Sequence, residues 1–492
     1  MDAITQPPSP PSPTGTDVTS KDNACAICLS DFHGHDVASV AVKPEYRTQC
    51  GHHFHLDCLS KHFVTQSIGS RQCKVCNQNP MPVVNENTDK PHDDNFFPDE
   101  AFFDACWHED LDQLDKSLAE GVNVNAVMHG DLTALMVAST MQYEETVERL
   151  ISAGADVNVD RAEDGYTPLI FAADKPDPVI LKRLINAGAK VNAANSLGAT
   201  ALHFAARSNN IDNMKALIEG GADVNARTRY GETPLLTAVK EGNIECVKLL
   251  IEEGADVNIA FPYGSTPLIL ALCDNHTDCA KLLLDAGANP NARTENGITP
   301  LYVAAEKGNT ECVERLIELK ADIDAALLGG VTPLFIAAKN NSIGSVKRLI
   351  NAGANLDARR TEDGFTPLQI AILLCNIECV EGLINAGAAV NIRTTSGSTP
   401  LHIAVEEGYH GCVQPLINAG ANINARRTNG ATPLLLAARD GHTECLKHLI
   451  RASANINTAL FDGTTPLSIA TEMGNADCVR ILTHFGASKG TK

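Results

Sequence analysis

The 492-residue chain lacks an apolar run of about 18 residues, the length that a membrane-spanning helix requires. Aromatic residues are scarce, at 4%, and positive charge is not in excess, since the formal net charge is −21. Nucleic acids and anionic membranes bind basic surfaces, so this charge argues against either as a general partner. No secretory signal precedes the 16 cysteines, and we therefore expect a reducing compartment, the cytoplasm or the nucleus.

Residue types that bind metal ions are concentrated near the N-terminus. In chain order they are Cys25, Cys28, Cys50, His52, His55, Cys58, Cys73 and Cys76. Two tetrahedral zinc ions need eight such thiolate or imidazole ligands, with no coordination position left for water. Disulfide bonds are the alternative for the six cysteines, but histidines fill two positions of the pattern. The sequence thus predicts two structural zinc ions, with His53 as an alternative to His52.

The spacing of these ligands resembles the RING-H2 finger, the adaptor domain of one class of ubiquitin ligases, over residues 22–80. The resemblance implies a cross-brace, in which the first and third ligand pairs hold one zinc ion and the second and fourth pairs hold the other. Metal binding would then supply the folding free energy that so small an apolar core lacks.

In the RING family the finger contains no nucleophile and instead grips a ubiquitin-charged conjugating enzyme, the E2, and orients its thioester. The resemblance therefore implies a RING-type E3 ubiquitin transferase with an E2 and ubiquitin as partners. Candidate E2 contacts follow by position in the family pattern: Ile27, Leu29, His62, Phe63, Lys74 and Asn77. The last position is commonly basic, and an uncharged Asn77 donates weaker hydrogen bonds. Packing within the finger is the alternative for Ile27 and Phe63.

From residue 133 onward a Thr-Pro-Leu or Thr-Ala-Leu triplet recurs every 33 or 34 residues. The triplets begin at Thr133, Thr167, Thr200, Thr233, Thr266, Thr299, Thr332, Thr366, Thr399, Thr432 and Thr465. Threonine suits a helix N-cap, and proline suits the first helical position. A second helix is predicted to end at a glycine in the left-handed conformation. Lys320 and Ser453 replace that glycine in two repeats, each at a cost of about 1 kcal/mol.

This pattern resembles ankyrin repeats over residues 99–487. Eleven triplets mark eleven units, and residues 99–128 form a twelfth that departs from the pattern, as capping units do. One repeat cannot bury its own apolar face, so stacked neighbours make the core. The predicted fold class is mainly α, with a two-zinc finger followed by an α-solenoid of about twelve repeats. Residues 1–20, rich in proline and serine, are expected to be disordered, and residues 81–98 to be a linker.

Seven of the ten cysteines outside the finger occupy one position of the repeat. They are Cys246, Cys279, Cys312, Cys379, Cys412, Cys445 and Cys478. Neighbours in successive layers would lie beyond the roughly 7 Å that a disulfide allows between Cα atoms. We therefore expect a row of buried free thiols that pack as small apolar groups.

The ankyrin resemblance implies a protein substrate, of unknown identity, bound by the turns and the concave helix face. Arginines recur in the turns: Arg227, Arg293, Arg359, Arg360, Arg393, Arg426 and Arg427, with Arg229 nearby. Candidate apolar anchors are Tyr230, Tyr263, Leu328 and Phe461. The arginines suit an acidic peptide, or they pair with neighbouring carboxylates instead. His203 and His402 are expected to form hydrogen bonds at helix starts.

Two functions fit these features. The first is a ubiquitin ligase whose ankyrin repeats select the substrate. The second is a non-enzymatic adaptor with an intact but weakly active finger.

Overall fold

The computed structural model describes residues 24–28, 45–63, 66, 71–86, 89–92, 99–128 and 130–488. The predicted tail of residues 1–20 lies outside these ranges. The chain divides into two compact units, Met1–Ser196 and Leu197–Lys492. The described part of the first unit holds the finger and three helix pairs, and that of the second holds nine helix pairs. The mainly α fold class and the count of twelve helix pairs are therefore confirmed.

The finger consists of one helix and a small antiparallel sheet. Its elements are β1 (Glu45–Arg47), β2 (His53–His55), α1 (Leu56–Phe63), β3 (Val83–Asn85) and β4 (Lys90–His92). The strand order is β2-β1-β3-β4, so the short β1 is hydrogen-bonded on both edges. Tyr46 stands opposite Phe54 in the register, and Arg47 stands opposite Val84.

The finger extends beyond the boundary that the sequence suggested. Its core contains Tyr46, Phe54, Leu59, Phe63 and Val83, each at most 5% exposed. Val83 belongs to the segment 81–98 that was predicted to be a linker. Because Val83 packs in this core and its strand pairs with β1, the finger continues to residue 92 and the linker is shorter.

The first unit contains three helix pairs after the finger. They are α2 (Glu100–His108) with α3 (Leu111–Ala119), α4 (Ala134–Met141) with α5 (Glu144–Ser152), and α6 (Pro168–Ala173) with α7 (Val179–Asn186). In the pair that lacks the triplet, Asp99 takes the place of threonine. Its carboxylate accepts the backbone N–H of Phe102 at 2.9 Å. Residues 99–128 therefore do form a twelfth unit, with an aspartate N-cap.

The second unit contains nine helix pairs in sequence. They are α8 (Ala201–Arg207), α9 (Ile211–Glu219), α10 (Pro234–Lys240), α11 (Ile244–Glu252), α12 (Pro267–Cys273), α13 (Thr277–Asp285), α14 (Pro300–Lys307), α15 (Thr310–Glu318), α16 (Pro333–Lys339), α17 (Ile343–Asn351), α18 (Pro367–Leu373), α19 (Ile377–Asn385), α20 (Pro400–Glu406), α21 (His410–Asn418), α22 (Pro433–Asp440), α23 (Thr443–Arg451), α24 (Pro466–Glu472) and α25 (Ala476–His484). Among the described residues, no helix combines the length and the apolar character that crossing a membrane demands.

Local signals fix the ends of these helices as the sequence predicted. At α16, for example, the Thr332 hydroxyl accepts the N–H of Phe335 at 3.2 Å, and Pro333 fills the first helical position. Lys320 and Ser453 adopt φ values of 63° and 67°, the left-handed conformation that glycine takes elsewhere at this position. Each of these two side chains therefore destabilises the folded chain by about 1 kcal/mol relative to glycine.

Asparagine side chains connect each repeat to the next within both units. In the first unit, the Asn125 and Asn158 side-chain oxygens accept the backbone N–H groups of Asp156 and Lys190, each at 2.7 Å. In the second unit the same bond is made by Asn225, Asn258, Asn291, Asp324, Asp357, Asn391, Asn424 and Asn457. We call this series the asparagine ladder. The asparagine that closes each Gly-Ala-x-(Val/Ile)-Asn segment thus satisfies a backbone donor of the following repeat.

The predicted row of cysteines is buried, and all 16 cysteines of the chain are free. Burial raises the pKa of Cys246 to about 12 and that of Cys312 to about 11. Ser345 interrupts the row. Its side chain is fully buried, and its Oγ has no hydrogen-bond partner among the described residues. The thiols therefore pack as small buried groups, as predicted. Cys246 and Cys379 also donate from Sγ to the side-chain oxygens of Asn209 and Asn341, at 3.2 and 3.4 Å.

Candidate metal centre and binding surfaces

Two four-residue groups in the finger bring their ligand atoms together. The first group is Cys25, Cys28, His55 and Cys58, and the second is Cys50, His52, Cys73 and Cys76. Within each group the ligand atoms all lie within 4.8 Å of one another. The groups alternate along the chain, so the predicted cross-brace and its ligand assignment are confirmed. His53, the alternative to His52, instead contacts Glu45, with 2.6 Å between Nδ1 and the carboxylate.

The spacing within each group fits a tetrahedral zinc ion. The Cys28 Sγ atom lies 3.3 Å from His55 Nδ1, and His52 Nδ1 lies 3.5 Å from Cys50 Sγ and 3.6 Å from Cys73 Sγ. Zinc bonds of about 2.3 Å to sulfur and 2.0 Å to nitrogen place such atoms about 3.5 Å apart at tetrahedral angles. Four ligands complete each site, and the finger therefore has two closed, structural zinc sites.

Thr48 supports the second zinc site, although no sequence motif marked it. Its side chain is only 1% exposed, and its hydroxyl lies 3.2 Å from Cys50 Sγ. The same oxygen is 3.1 Å from the backbone N–H of His52, which donates to it. Gly51, between these two ligands, has φ of 86° and so permits the tight turn. The hydroxyl thus orients two ligands, in the manner of outer-shell groups around metals.

The thiols of the finger do not ionise equally. Burial, reinforced by neighbouring thiols, raises the pKa of Cys58 to about 12. Burial likewise raises the pKa of Cys73 to about 11. Burial acts in the same direction at Cys50, but hydrogen bonds with Thr48 and His52 outweigh it and lower the pKa of that thiol to about 6. A divalent cation offsets the cost of crowding several thiolates together, which couples metal binding to folding of the finger.

The six candidate E2 contacts differ in exposure. Phe63 is fully buried in the finger core, so its side chain takes the packing role left open by the sequence. Ile27 is partly buried against the same core. Leu29 lies outside the described residues. Lys74 and Asn77 are exposed, and Asn77 has φ of 56°. Exposed or partly exposed positions remain predicted contacts, whereas a buried Phe63 offers a partner no surface.

His62 has partners within the finger. Its Nε2 lies 3.1 Å from the carbonyl oxygen of Gln72 and 3.3 Å from the amide nitrogen of Gln66. Burial lowers the pKa of His62, which favours the neutral ring. The side chain therefore links α1 to the segment that precedes Cys73. Contact of His62 with an E2 stays a prediction.

Val75 is an exposed apolar residue that the sequence reasoning missed. It stands between Cys73 and Cys76 and is 50% exposed. Ile27 stands at the corresponding position between Cys25 and Cys28. An apolar residue inside each Cys-x-x-Cys pair was the signal that could have identified Val75.

The predicted arginine series is held by contacts within the second unit. Arg227, Arg359, Arg393 and Arg426 each donate from the guanidinium to a backbone carbonyl of the next turn, over 2.6–3.1 Å. The predicted alternative of carboxylate partners applies to the remaining three. Arg293 pairs with Asp322 at 3.2 Å, Arg360 pairs with Asp363, and Arg427 pairs with Glu406. Five of these arginines thus link one turn to the next, whereas Arg360 pairs within its own turn and Arg427 pairs with helix α20. A contact with a substrate stays a prediction for all seven.

The predicted apolar anchors are all exposed. Tyr230 and Tyr263 are 65% and 74% exposed, and Leu328 and Phe461 are each 79% exposed. The Arg426 guanidinium lies 5.4 Å from the centre of the Phe461 ring, so this aromatic has a cationic neighbour within the chain. Binding of a substrate to any of the four remains a prediction.

His203 and His402 are hydrogen-bonded at helix starts, as predicted. The N–H of Thr399 donates to His402 Nδ1 at 3.2 Å, and His402 Nε2 lies 3.2 Å from the carbonyl oxygen of Ala431. This arrangement requires a neutral ring with its proton on Nε2. Burial, together with nearby Arg427, lowers the pKa of His402 to about 4.

The sequence matches two known families. The family described as ankyrin repeats (3 copies) matches in overlapping segments over residues 102–327 and 334–492, and the family described as ring finger domain matches residues 23–77.

Individual relatives match parts of the repeats. Protein phosphatase 1 regulatory subunit 27 of Mus musculus is 41% identical over 104 residues, 21% of this chain and 67% of that protein. The B-cell lymphoma 3 protein homolog of Mus musculus is 33% identical over 90 residues, 18% of this chain and 20% of that protein. Ankyrin repeat and SOCS box protein 6 of Homo sapiens is 43% identical over 72 residues, 14% of this chain and 17% of that protein. The chain thus spans one fifth or less of the length of the last two relatives.

Proposed function

We propose that this chain, which belongs to the ankyrin-repeat family and carries a RING finger at residues 23–77, is a RING-type E3 ubiquitin transferase. The observation that carries the proposal is the pair of complete, interleaved zinc sites in the finger. A metal with four protein ligands has no position for a substrate or a water molecule. The zinc ions therefore shape a binding surface, which is what a domain that positions another enzyme requires.

In the proposed mechanism the finger binds a ubiquitin-charged E2, and no residue of the chain attacks ubiquitin. The contact surface comprises Ile27 and Val75, one from each Cys-x-x-Cys pair, with Lys74 and Asn77 beside them. Holding the thioester in one orientation favours attack by a lysine, through proximity rather than through acid–base chemistry. Asn77 donates hydrogen bonds to the E2 and ubiquitin without charge assistance, so this contribution is weak.

The ankyrin repeats take the second role in the proposal and hold a protein substrate near the bound E2. Ankyrin repeats bury their apolar residues in the stack and leave the turns and inner helix face for recognition. With 16 free cysteines, we place this activity in the cytoplasm or the nucleus.

Discharge of ubiquitin from a charged E2 to free lysine tests the proposal directly. The full-length chain should accelerate discharge with at least one member of an E2 panel. Val75→Ala should reduce the rate because it removes an exposed apolar contact, and Ile27→Ala should reduce it roughly tenfold or more. Arg47→Ala, on an exposed strand residue, is the matched control and should leave the rate unchanged.

Zinc analysis of the same proteins separates lost contacts from lost folding. The Ile27→Ala, Val75→Ala and Arg47→Ala variants should each retain two zinc ions per chain, because none of these three side chains is a zinc ligand. Full activity in both apolar variants would place the E2 surface elsewhere.

A non-enzymatic adaptor is the second candidate, and the uncharged Asn77 favours it. In this case the finger keeps its zinc ions but accelerates no discharge with any E2, while the repeats still bind a partner protein. Absence of discharge by a fully zinc-loaded chain would select the adaptor.

A further inference from the structure

Three successive turns of the second unit present an apolar side chain at one position of the repeat. Leu197, Tyr230 and Tyr263 are 49%, 65% and 74% exposed, and each precedes a glycine with φ of 79–84°. We call these three residues the tip row. The next turn has Asn296 at this position, so the row ends there.

Backbone hydrogen bonds tie turns of the tip row to their neighbours. The N–H of Arg229 donates to the Leu197 carbonyl at 2.8 Å, and that of Glu295 donates to the Tyr263 carbonyl at 3.1 Å. The helices that follow the three turns, α8, α10 and α12, pack against one another in succession. Packed helices lie about 8–10 Å apart, so equivalent residues of consecutive turns lie about 9 Å apart.

A polyproline II helix matches this spacing. It has three residues per turn and rises about 3.1 Å per residue, so one face repeats about every 9.3 Å. An extended strand repeats its face about every 6.7 Å, and two turns of an α-helix rise about 10.8 Å. Neither stays in register with three anchors about 9 Å apart.

We propose that the tip row binds a proline-rich segment of a partner protein in the polyproline II conformation, with proline at every third position. The two tyrosine rings provide flat apolar surfaces on which prolines pack, and Leu197 extends this surface by one turn of the ligand. A polyproline II backbone makes no internal hydrogen bonds, so its carbonyl groups accept from the two tyrosine hydroxyls.

Charge next to the tip row adds a second requirement on the partner. Arg229 is exposed directly before Tyr230. The chain as a whole carries a net charge of −21, and an exposed cation beside the tip row favours an acidic residue on the ligand. The partner segment is therefore proline-rich with an aspartate or glutamate at its flank.

This inference deepens the proposed function, since the partner it describes is the substrate of the ligase, but binding to the tip row requires no ubiquitin transfer. A direct binding assay therefore fails or succeeds independently of the discharge assay.

The test uses a fluorescent peptide of repeated Pro-Pro-Ala triplets between two aspartates, titrated with the full-length protein. Its matched control has the same composition, but one alanine is moved so that the three-residue period is interrupted at the centre. We expect the periodic peptide to bind at least about tenfold more tightly than the control. Protein lacking residues 1–20 is titrated in parallel, because residues 7–13 (Pro-Pro-Ser-Pro-Pro-Ser-Pro) have the same period and would compete from other molecules.

Substitutions in the protein locate the binding surface. Exchange of Tyr230 and Tyr263 for alanine should weaken binding of the periodic peptide by about tenfold or more. Phe485→Ala changes another exposed aromatic of the second unit, which is 54% exposed and lies outside the tip row, and should have no effect. Arg229→Glu should weaken binding most at low ionic strength. Equal binding of the two peptides, or undiminished binding by the double tyrosine variant, would overturn the proposal.

Discussion

Among single residues, Thr48 shows how a side chain that binds no metal controls a metal site. Its hydroxyl contacts the Cys50 sulfur and accepts from the N–H of His52, and it is buried. Removal of this oxygen leaves the backbone donor without its partner and loosens two ligands of one zinc ion. The other zinc site has no contact with Thr48 in the hydrogen bonds described above.

We therefore predict that Thr48→Val weakens binding of one zinc ion, by about tenfold to a hundredfold. Thr48→Ser keeps the hydroxyl and should behave like the unmodified chain. Competition with a chromophoric chelator measures both affinities in a single titration. Identical zinc release from the valine and serine variants would show that the hydroxyl has no role in the site.

His402 makes the stability of the second unit depend on pH. Its pKa is lowered to about 4 in the folded chain, against an ordinary value of 6.5. Above pH 6.5 the ring is neutral in both states, and the stability that it contributes is fully present. As the pH falls the unfolded chain binds a proton that the folded chain excludes, so stability decreases from pH 6.5 until the folded pKa is passed.

His402→Gln should remove this dependence, because Gln369 makes the same bonds at the same position of an earlier repeat. Its Oε1 accepts the N–H of Thr366 at 2.9 Å. Its Nε2 donates to the Ser398 carbonyl at 3.4 Å, the counterpart of the Ala431 carbonyl, and also to the Ile392 carbonyl at 2.9 Å. Between about pH 7.5 and pH 5 the unmodified chain should lose about 2 kcal/mol more than the variant. Melting temperatures of both proteins at the two pH values test this prediction. His203 is present in both proteins and so contributes equally to each. The same change in melting temperature with pH in the two proteins would exclude His402 as the cause.

Among structural elements, the asparagine ladder joins each helix pair to the next one in sequence, across one repeat of the chain. The Asn291 oxygen accepts the N–H of Asp322 at 2.7 Å, and two repeats use aspartate for the same bond. A carboxylate or an amide oxygen therefore serves equally as the acceptor, whereas an apolar side chain cannot.

Asn291→Ala should lower the free energy of unfolding by about 0.5–1.5 kcal/mol, the net value of a hydrogen bond of this kind. Asn291→Asp should change it less, because it keeps the acceptor and loses only the 3.3 Å bond from the amide nitrogen to the Lys320 carbonyl. Urea denaturation followed by circular dichroism compares the two variants. The ladder would have no energetic role if both substitutions had the same effect.

Features set by neighbouring residues in sequence could be predicted, whereas features set by distant ones could not. The Thr-Pro-Leu triplets and the zinc ligands at fixed spacing identified the helix starts and both metal sites. The strand at Val83 was missed because it forms only by pairing with β1, some 38 residues earlier, and Pro82 next to it suggested a loop. The partner of Arg359 is a carbonyl 34 residues away, which depends on how the turns stack.

At the scale of the whole molecule, the zinc sites and the repeats contribute very differently to secondary structure. Of the 25 helices in the described part of the chain, only α1 belongs to the finger. The apolar cluster that surrounds the zinc ligands contains finger residues alone.

Removal of zinc by a chelator should therefore unfold the finger but leave almost all of the helical circular dichroism signal. Hydrogen exchange at the backbone of Thr48 and His52 should become fast, while exchange in the repeats should stay slow. Addition of zinc should restore protection in the finger. A large loss of helical signal with chelator would mean that the repeats depend on the metal for their folding.

The row of buried cysteines can report how often individual repeats open. A thiol that is buried and has a pKa near 11, as Cys379, Cys412 and Cys445 do, reacts with an alkylating reagent only while its repeat is open. Since successive repeats each contribute one such thiol, a brief pulse of reagent followed by mass spectrometry reads out how often each layer opens. Ser345, between Cys312 and Cys379, is the one position of the row without a thiol to alkylate. Ser345→Cys would supply a thiol there and complete the series.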